Sequence, residues 1–573
     1  MIKKIAYLLL GTAIPLVVHS FSAQYDLSGT VRLTSPTAGA LEGKSEEIVI
    51  PPSENIFTKD LTTKIRTGTP GALESQELIF DGYFPGQVAF DGYYARYEEQ
   101  LPSFDTCDRI FNDGQALSII RDELNGDDSD DEFCFTPGDY RDLGEIAITA
   151  DGTSSSDKHI IRLLGSDTTH PVNLAQSQQA RIAGLEISGS NWLIHRITMD
   201  GSNKGSGDSI DFTATNNNDI ILDHMLVENC YDSNYNCIRV RNITDLTIQN
   251  SVVRTTDWVP DVDFHCISTG YTVNNLKLVN NEIYNCAGDG LATNNSSTFN
   301  SSRIENNDIY VTNEMYCANG FQNPLAAQAA SENALDFKGR TLNENNWHHI
   351  LHNRFKGFRN TASSCGSTSS RGEVININND KCDEEPSTCG EVGYYRIEAN
   401  IFEDSPRFIS YSNGIYHDLS VLSNIFYNLN DPTNTNPVGL NLDQGETSLI
   451  MYNTFVDVDP YVDFSQDSLE WKCNVVINSG APYGIEYGMS NQFDANAYYS
   501  STPIGEVTDP DPETNVICDG SAASGCATID TKNNPLTFKW ARWTSFNNPK
   551  VSVIPNIRAT KDSPHFTHDN CGG

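Results

Sequence analysis

Two groups of side chains in this sequence could carry chemistry at close spacing. The first is Asp336 and Lys338, two residues apart in NALDFK (333–338), with Asn294, Asn376 and Asn378 at matching positions of similar segments. A lysine held beside a carboxylate and amides is a candidate general base for a proton adjacent to a carboxyl group, provided its own proton can be drawn away. A calcium ion held by Asp336, Asp289 and Asp263 would assist by neutralising charge. The plainer alternative is an ion pair on a strand surface. The second group is Asp263, His265 and Asp289, in which a histidine between carboxylates could act as an acid/base group or a metal ligand. The alternative there is a turn-edge histidine satisfied by an aspartate. Arg239 and Arg241 form a small basic strip in another segment of the same kind, suited to binding an anionic ligand together with the three asparagines.

These residues sit on a repeating frame that must position them. Eight six-residue segments recur: DSIDFT (208–213), NCIRVR (236–241), HCISTG (265–270), DGLATN (289–294), NALDFK (333–338), EVININ (373–378), RFISYS (407–412) and VGLNLD (438–443). Their third position is always Ile or Leu and their fifth is mostly apolar, the period-two pattern of a strand buried on one face. Positions four and six then point outward. A second column runs through segments such as NLKLVNNEI (275–283), SSRIENNDI (301–309) and YYRIEANIF (394–402). It places Asn281, Asn307, Asn353, Asn400, Asn424 and Asn453 in line, with Ser251 one repeat earlier. Asparagine tolerates left-handed backbone and can bond to identical neighbours above and below, so this column is read as structural.

Two strand columns recurring every ~25 residues describe a parallel β-solenoid, in which no coil buries its apolar face alone. Coils lie ~4.8 Å apart and alternate outward residues ~6.7 Å apart. On that register His265 and Lys338 are two coils and five positions apart, roughly 15–20 Å, and the two groups are expected to be separate. GQALSIIRDEL (114–124) reads as a capping helix before the first coils, because an open solenoid end exposes an unpaired strand edge. The pattern fades near residue 480. The expected organisation is therefore a signal peptide at 1–23, an N-terminal extension at 24–110, the solenoid at 111–480 and a C-terminal cap at 481–573.

The column pattern, with NNEIYNCAGDGL (280–291) and SENALDFKG (331–339), resembles the right-handed parallel β-helix superfamily of secreted repeat proteins over about residues 130–480. The resemblance implies an all-β, right-handed parallel β-helix with a groove along one outward face. Its carbohydrate-active members include pectate, alginate and chondroitin lyases, polygalacturonases and uronan epimerases. NALDFKG resembles the strand lysine of calcium-dependent lyases, although the run of consecutive aspartates those enzymes carry is absent. The adjacent Asp pairs and G-H-G element of polygalacturonases are absent too, and DVDFH (261–265) is only a loose echo of an epimerase DPHD motif. The expected activity is β-elimination on an acidic polysaccharide, uronate-containing or sulfated, with Lys338 and His265 catalytic. A glycoside hydrolase using Asp263 or Asp289, and a non-catalytic glycan-binding or adhesive β-helix, are the alternatives.

Composition bounds the partners. The 573 residues hold 76 Asp and Glu against 37 Lys and Arg, a net charge of −39, which disfavours nucleic acid and anionic membranes. Lys3 and Lys4, the apolar run Ile5–Val18 and the small residues Ser20, Ser22 and Ala23 read as a secretory signal. The 14 cysteines, all after it, favour disulfides in an oxidising compartment. Cys107/Cys134, Cys382/Cys389, Cys518/Cys526 and Cys317/Cys365 are candidate pairs.

Overall fold

The protein is seen here as a computed structural model. It describes residues 107–477 except for loops, the longest being 256–263, 317–330, 360–371, 379–392, 428–437 and 459–467, together with short stretches before and after that span. The chain divides into two compact units. The first, residues 1–97 with 529–560, contains an antiparallel three-stranded sheet (Ser22–Tyr25, Thr30–Thr34, Glu46–Val49) and an antiparallel pair (Pro535–Thr544 with Pro549–Pro555). Residues 1–21, most of the expected signal, lie outside the described residues.

The second unit is a parallel β-helix. Its strands form sheets of 22 and 14 strands, and every strand pairing within them is parallel. The inward column expected from the six-residue segments is present. Ile210, Ile238, Ile267, Leu291, Leu335, Ile375, Ile409 and Leu440 stand in register from coil to coil, each 0–1% exposed. Stacking like on like lets one apolar stripe per coil become a continuous core.

Most coils carry three short strands, where the sequence showed two columns; in two coils the first two run together as Ile238–Gln249 and Ile267–Val279. The asparagine-bearing segments are two strands joined by a two-residue bend. In SSRIENNDI, Thr298–Glu305 ends, Asn306 takes φ 56°, and Asp308–Tyr310 begins on the other sheet. The left-handed residue is thus the one before the ladder position: Asn250, before Ser251, and Asn280, Asn306 and His352, before ladder asparagines, all have φ between 51° and 58°. The ladder residue itself serves as an inward tie. Asn307 Nδ2 donates to Leu278 O on the preceding coil (2.8 Å) and to Asn353 Oδ1 on the next (2.9 Å). Asn353, Asn400, Asn424 and Asn453 repeat the same pair of bonds as far as Asn474. Beside this ladder, Phe355, Phe402, Phe426 and Phe455 stack at centroid spacings of 5.1, 4.7 and 4.7 Å, close to the strand spacing.

At the N-terminal end the helix Leu117–Leu124 buries Ile120 and Leu124, four apart on one face, in the solenoid core. At the other end, the stack continues past residue 480. Gln492–Asp494, Ala497–Ser500 and Val516–Asp519 still pair in parallel with earlier coils. The segment expected to be a cap from 481 therefore begins as further coils. Strand pairing persists there after the side-chain pattern has weakened, because the backbone ladder needs no particular side chain. Disulfides join Cys107–Cys134, Cys230–Cys237 and Cys266–Cys286. The other three candidate pairs lie outside the described side chains.

Candidate functional site

The outward face of the strand Leu335–Phe337 and its neighbours carries the first group. Asp336 stands in register with Ala292 on one side and Asn376 on the other. Its carboxylate is almost fully covered, 1% exposed, while Lys338 keeps 31% of its side chain in solvent. Lys338 Nζ lies 2.6 Å from Asp336 Oδ2, and Asn376 Nδ2 donates to Asp336 Oδ1 at 3.0 Å. Thr293 positions the lysine: its Oγ1 accepts the backbone N–H groups of Lys338 (2.5 Å) and Gly339 (2.8 Å), turning the chain just after the strand. Gly339 is required by that turn, because a Cβ there would come within 2.9 Å of Phe299 Cβ and Ser297 Oγ. Asn294 is exposed and Asn378 half-buried on the same outward face.

The second group stands in a polar column at the entrance to the same strands, at position one of each six-residue segment. Asp208 Oδ1 accepts the Asn236 N–H (2.5 Å), and Asn236 Oδ1 accepts that of His265 (3.3 Å). His265 Nδ1 accepts the Asp289 N–H (3.1 Å), and Asp289 Oδ1 accepts that of Asn333 (3.1 Å). Asn333 Nδ2 also donates to Asp289 Oδ1, at 2.8 Å. His265 and Asp289 therefore tie successive coils, and His265 Nδ1 lies 3.2 Å from Asp289 Oδ2 as well. Asp208, Asn236 and Asn333 were not singled out from the sequence. The signal was the uninterrupted polar run at position one, Asp208, Asn236, His265, Asp289, Asn333 and Glu373.

Asp336 links the two groups. Burial raises its proton affinity above the usual carboxylate range, and the nearby Asp289 carboxylate raises it further, while Lys338 and His265 oppose the rise. Asp289 and His265 of the second group therefore act on Asp336 of the first through their charge.

The remaining expectations divide. Arg241 makes two bonds from Nη2 to Asp211, at 2.7 and 2.6 Å, and Arg239 Nη1 lies 3.5 Å from Asp208 Oδ2. The strip is matched by carboxylates, which the sequence reading did not anticipate: Asp211 and Asp208 stand on the preceding coil. Asp263 lies outside the described residues. The described carboxylates do not fit a calcium ion, which takes six to eight oxygen ligands. Both oxygens of Asp336 are engaged, one by an ammonium, and Asp289 Oδ1 holds two N–H groups. No step is assigned to calcium.

No protein-family model and no curated protein matches the sequence. Among solved structures, a mannuronic acid specific polysaccharide family 6 lyase from human gut microbiota is similar at 11% identity and TM-score 0.36, over 72% of this chain and 91% of that one. PfbA, a surface adhesin of Streptococcus pneumoniae, is similar at 12% identity and TM-score 0.32, over 67% and 86%. An alginate lyase from Paenibacillus sp. is similar at 12% identity and TM-score 0.22, over 72% and 98%.

Proposed function

We propose that the protein is a secreted polysaccharide lyase that cleaves an acidic polysaccharide by β-elimination, with Lys338 as the base. The observation that carries this reading is the pairing of a partly exposed lysine with a buried carboxylate of raised proton affinity, 2.6 Å apart, on the outward face of a long strand ladder. A lysine is a base only when it has given up its proton. Burial of Asp336 makes the carboxyl a better acceptor for that proton, so the neutral pair is reached at lower cost than it would be in water. Lys338 would then remove the proton beside a uronate carboxyl. The electron pair would move to expel the glycosidic oxygen, leaving an unsaturated sugar end. Asn294, Asn376 and Asn378 would orient the chain, and Arg239 and Arg241 would face its anionic groups. The three disulfides fit an oxidising, extracytoplasmic compartment.

A second reading, a glycoside hydrolase, is favoured by one observation: Asp289 raises the proton affinity of Asp336, as in carboxylate pairs that divide acid and base roles. Against it, both carboxylates are about 1% exposed, whereas Lys338 is the group a polymer can reach. The test is incubation of the purified protein with alginate, pectate, chondroitin sulfate and carrageenans, with and without a calcium chelator. Ultraviolet absorbance of unsaturated ends rising together with reducing ends supports the lyase. Reducing ends alone would indicate hydrolysis, and neither would indicate a binding protein. Full lyase activity in Lys338→Ala would refute the site.

A further inference from the structure

The asparagine ladder does not run the length of the solenoid. Its place is taken by Ser251, then by Met225 and Ile197 on the two coils before, which cannot tie one coil to the next through a side-chain amide. On those same coils, one and two residues earlier, stand His195, Asp223 and His224. The strands Trp192–His195 and Asn217–Asp223 pair so that His195 lies directly opposite Asp223. His224 follows with φ 51° at the bend, which brings its ring back toward the same carboxylate. The Nδ1 atoms of His195 and His224 lie 2.7 and 2.6 Å from one oxygen, Asp223 Oδ2. The other oxygen is held away from them by Gln249 Nε2 (3.1 Å) and Asn250 Nδ2 (3.0 Å).

Two imidazole nitrogens thus gather around one carboxylate oxygen, with a ligand atom from each of the three residues within 4.8 Å of the others. Asp223 is fully covered, and Phe104 stacks on the His195 ring at 4.6 Å. His224 keeps 28% of its side chain exposed, so the cluster is reached from solvent, which would supply a fourth ligand as water. A nitrogen-rich set with one carboxylate suits a zinc-type transition cation and not calcium, which prefers oxygen alone. The amides on Asp223 Oδ1 are the kind of outer contacts that fix a ligating carboxylate. His170 borders the cluster, its ring 5.8 Å from that of His224, but its Nδ1 accepts the Val172 N–H and is not turned to the same point.

We propose that His195, Asp223 and His224 bind one divalent transition cation of the zinc type, which clasps adjacent coils where the asparagine ladder is missing. The test uses the full chain, stripped by dialysis against a strong chelator, then titrated separately with Zn2+, Co2+ and Ca2+. The expected results are one Zn2+ per chain by calorimetry, visible absorption from a four-coordinate Co2+ site, and a melting temperature raised by Zn2+ and not by Ca2+. In His224→Ala, whose ring is partly exposed and whose loss should leave the fold intact by circular dichroism, Zn2+ affinity should fall by about a hundredfold or more. Asp223→Asn should behave likewise. Absence of stoichiometric Zn2+ binding and of the Co2+ absorption, or unchanged binding in folded His224→Ala, would overturn the proposal.

Discussion

The interior asparagine ladder and the outward cluster around Lys338 are built on the same coils but satisfy their polar groups in opposite ways. In the ladder, each amide meets an identical amide one coil above and below, and each Nδ2 also takes a backbone carbonyl. Every donor has an acceptor of fixed geometry, so a fully buried polar row costs the fold little. In the outward cluster each coil offers something different: Ala292, Asp336 and Asn376 stand side by side. There the charges are crowded, Asp336 is held against its own preference for ionisation, and Lys338 opens to solvent. The first arrangement gives rigidity through repetition. The second gives a group whose proton can move, which repetition would have suppressed.

The largest effect should come from breaking the ladder. Asn353→Leu removes the acceptor for the N–H and Nδ2 of Asn307 and the donors to Ile304 O and Asn400 Oδ1. Destabilisation of about 3–5 kcal/mol is expected in chemical denaturation, or failure to fold. A loss under about 1 kcal/mol would mean that the row is decoration. Lys338→Met should reverse the pattern, lowering lyase turnover by about a hundredfold or more. Its stability should change by about 1 kcal/mol or less, because Asp336 can take up a proton when its partner is gone.

A third prediction concerns a buried histidine inside the coils. His348 is fully covered, stacked between Phe299 and Tyr395 at 4.9 Å each and bonded to Ser302 Oγ at 2.9 Å. Burial pushes it down to about 3, so the native protein keeps it neutral. The unfolded chain binds a proton here below about pH 6.5 and the native chain does not. The stability it permits is therefore full above that pH and is lost as pH falls toward 3. His348→Phe should move the acid unfolding midpoint downward, on the order of one pH unit, when followed by tryptophan fluorescence. The smallest effect is expected at Arg241→Gln. Because Arg241 is already matched by Asp211, KM for the polyanion should rise only about two- to fivefold. A hundredfold rise would mean that the arginine, and not Lys338, dominates recognition.

Much of the frame was legible in the sequence. The inward Ile and Leu column and the asparagine line were found because each is a strictly local pattern repeated until it stands out. The third strand ladder was hidden because it is short and separated from the second by only two residues, one of them left-handed, which read as part of the same segment. The influence of Asp289 on Asp336 was not legible because it is a charge effect between coils, which depends on burial and not on residue spacing. The histidine cluster at His195, Asp223 and His224 was missed because its members lie on two coils, in segments that otherwise look like core strand.

The sequence by itself determined which residues face inward and which outward, and that the coils must stack, since period-two alternation is set within a single coil and the same asparagine recurs from coil to coil. Only the tertiary structure decided which outward residues meet. That depends on how coils of unequal length, separated by loops, come into register. The pairing of Arg241 with Asp211, the bond from Asn376 to Asp336 and the approach of His195 to Asp223 are all contacts between coils. No local pattern encodes them.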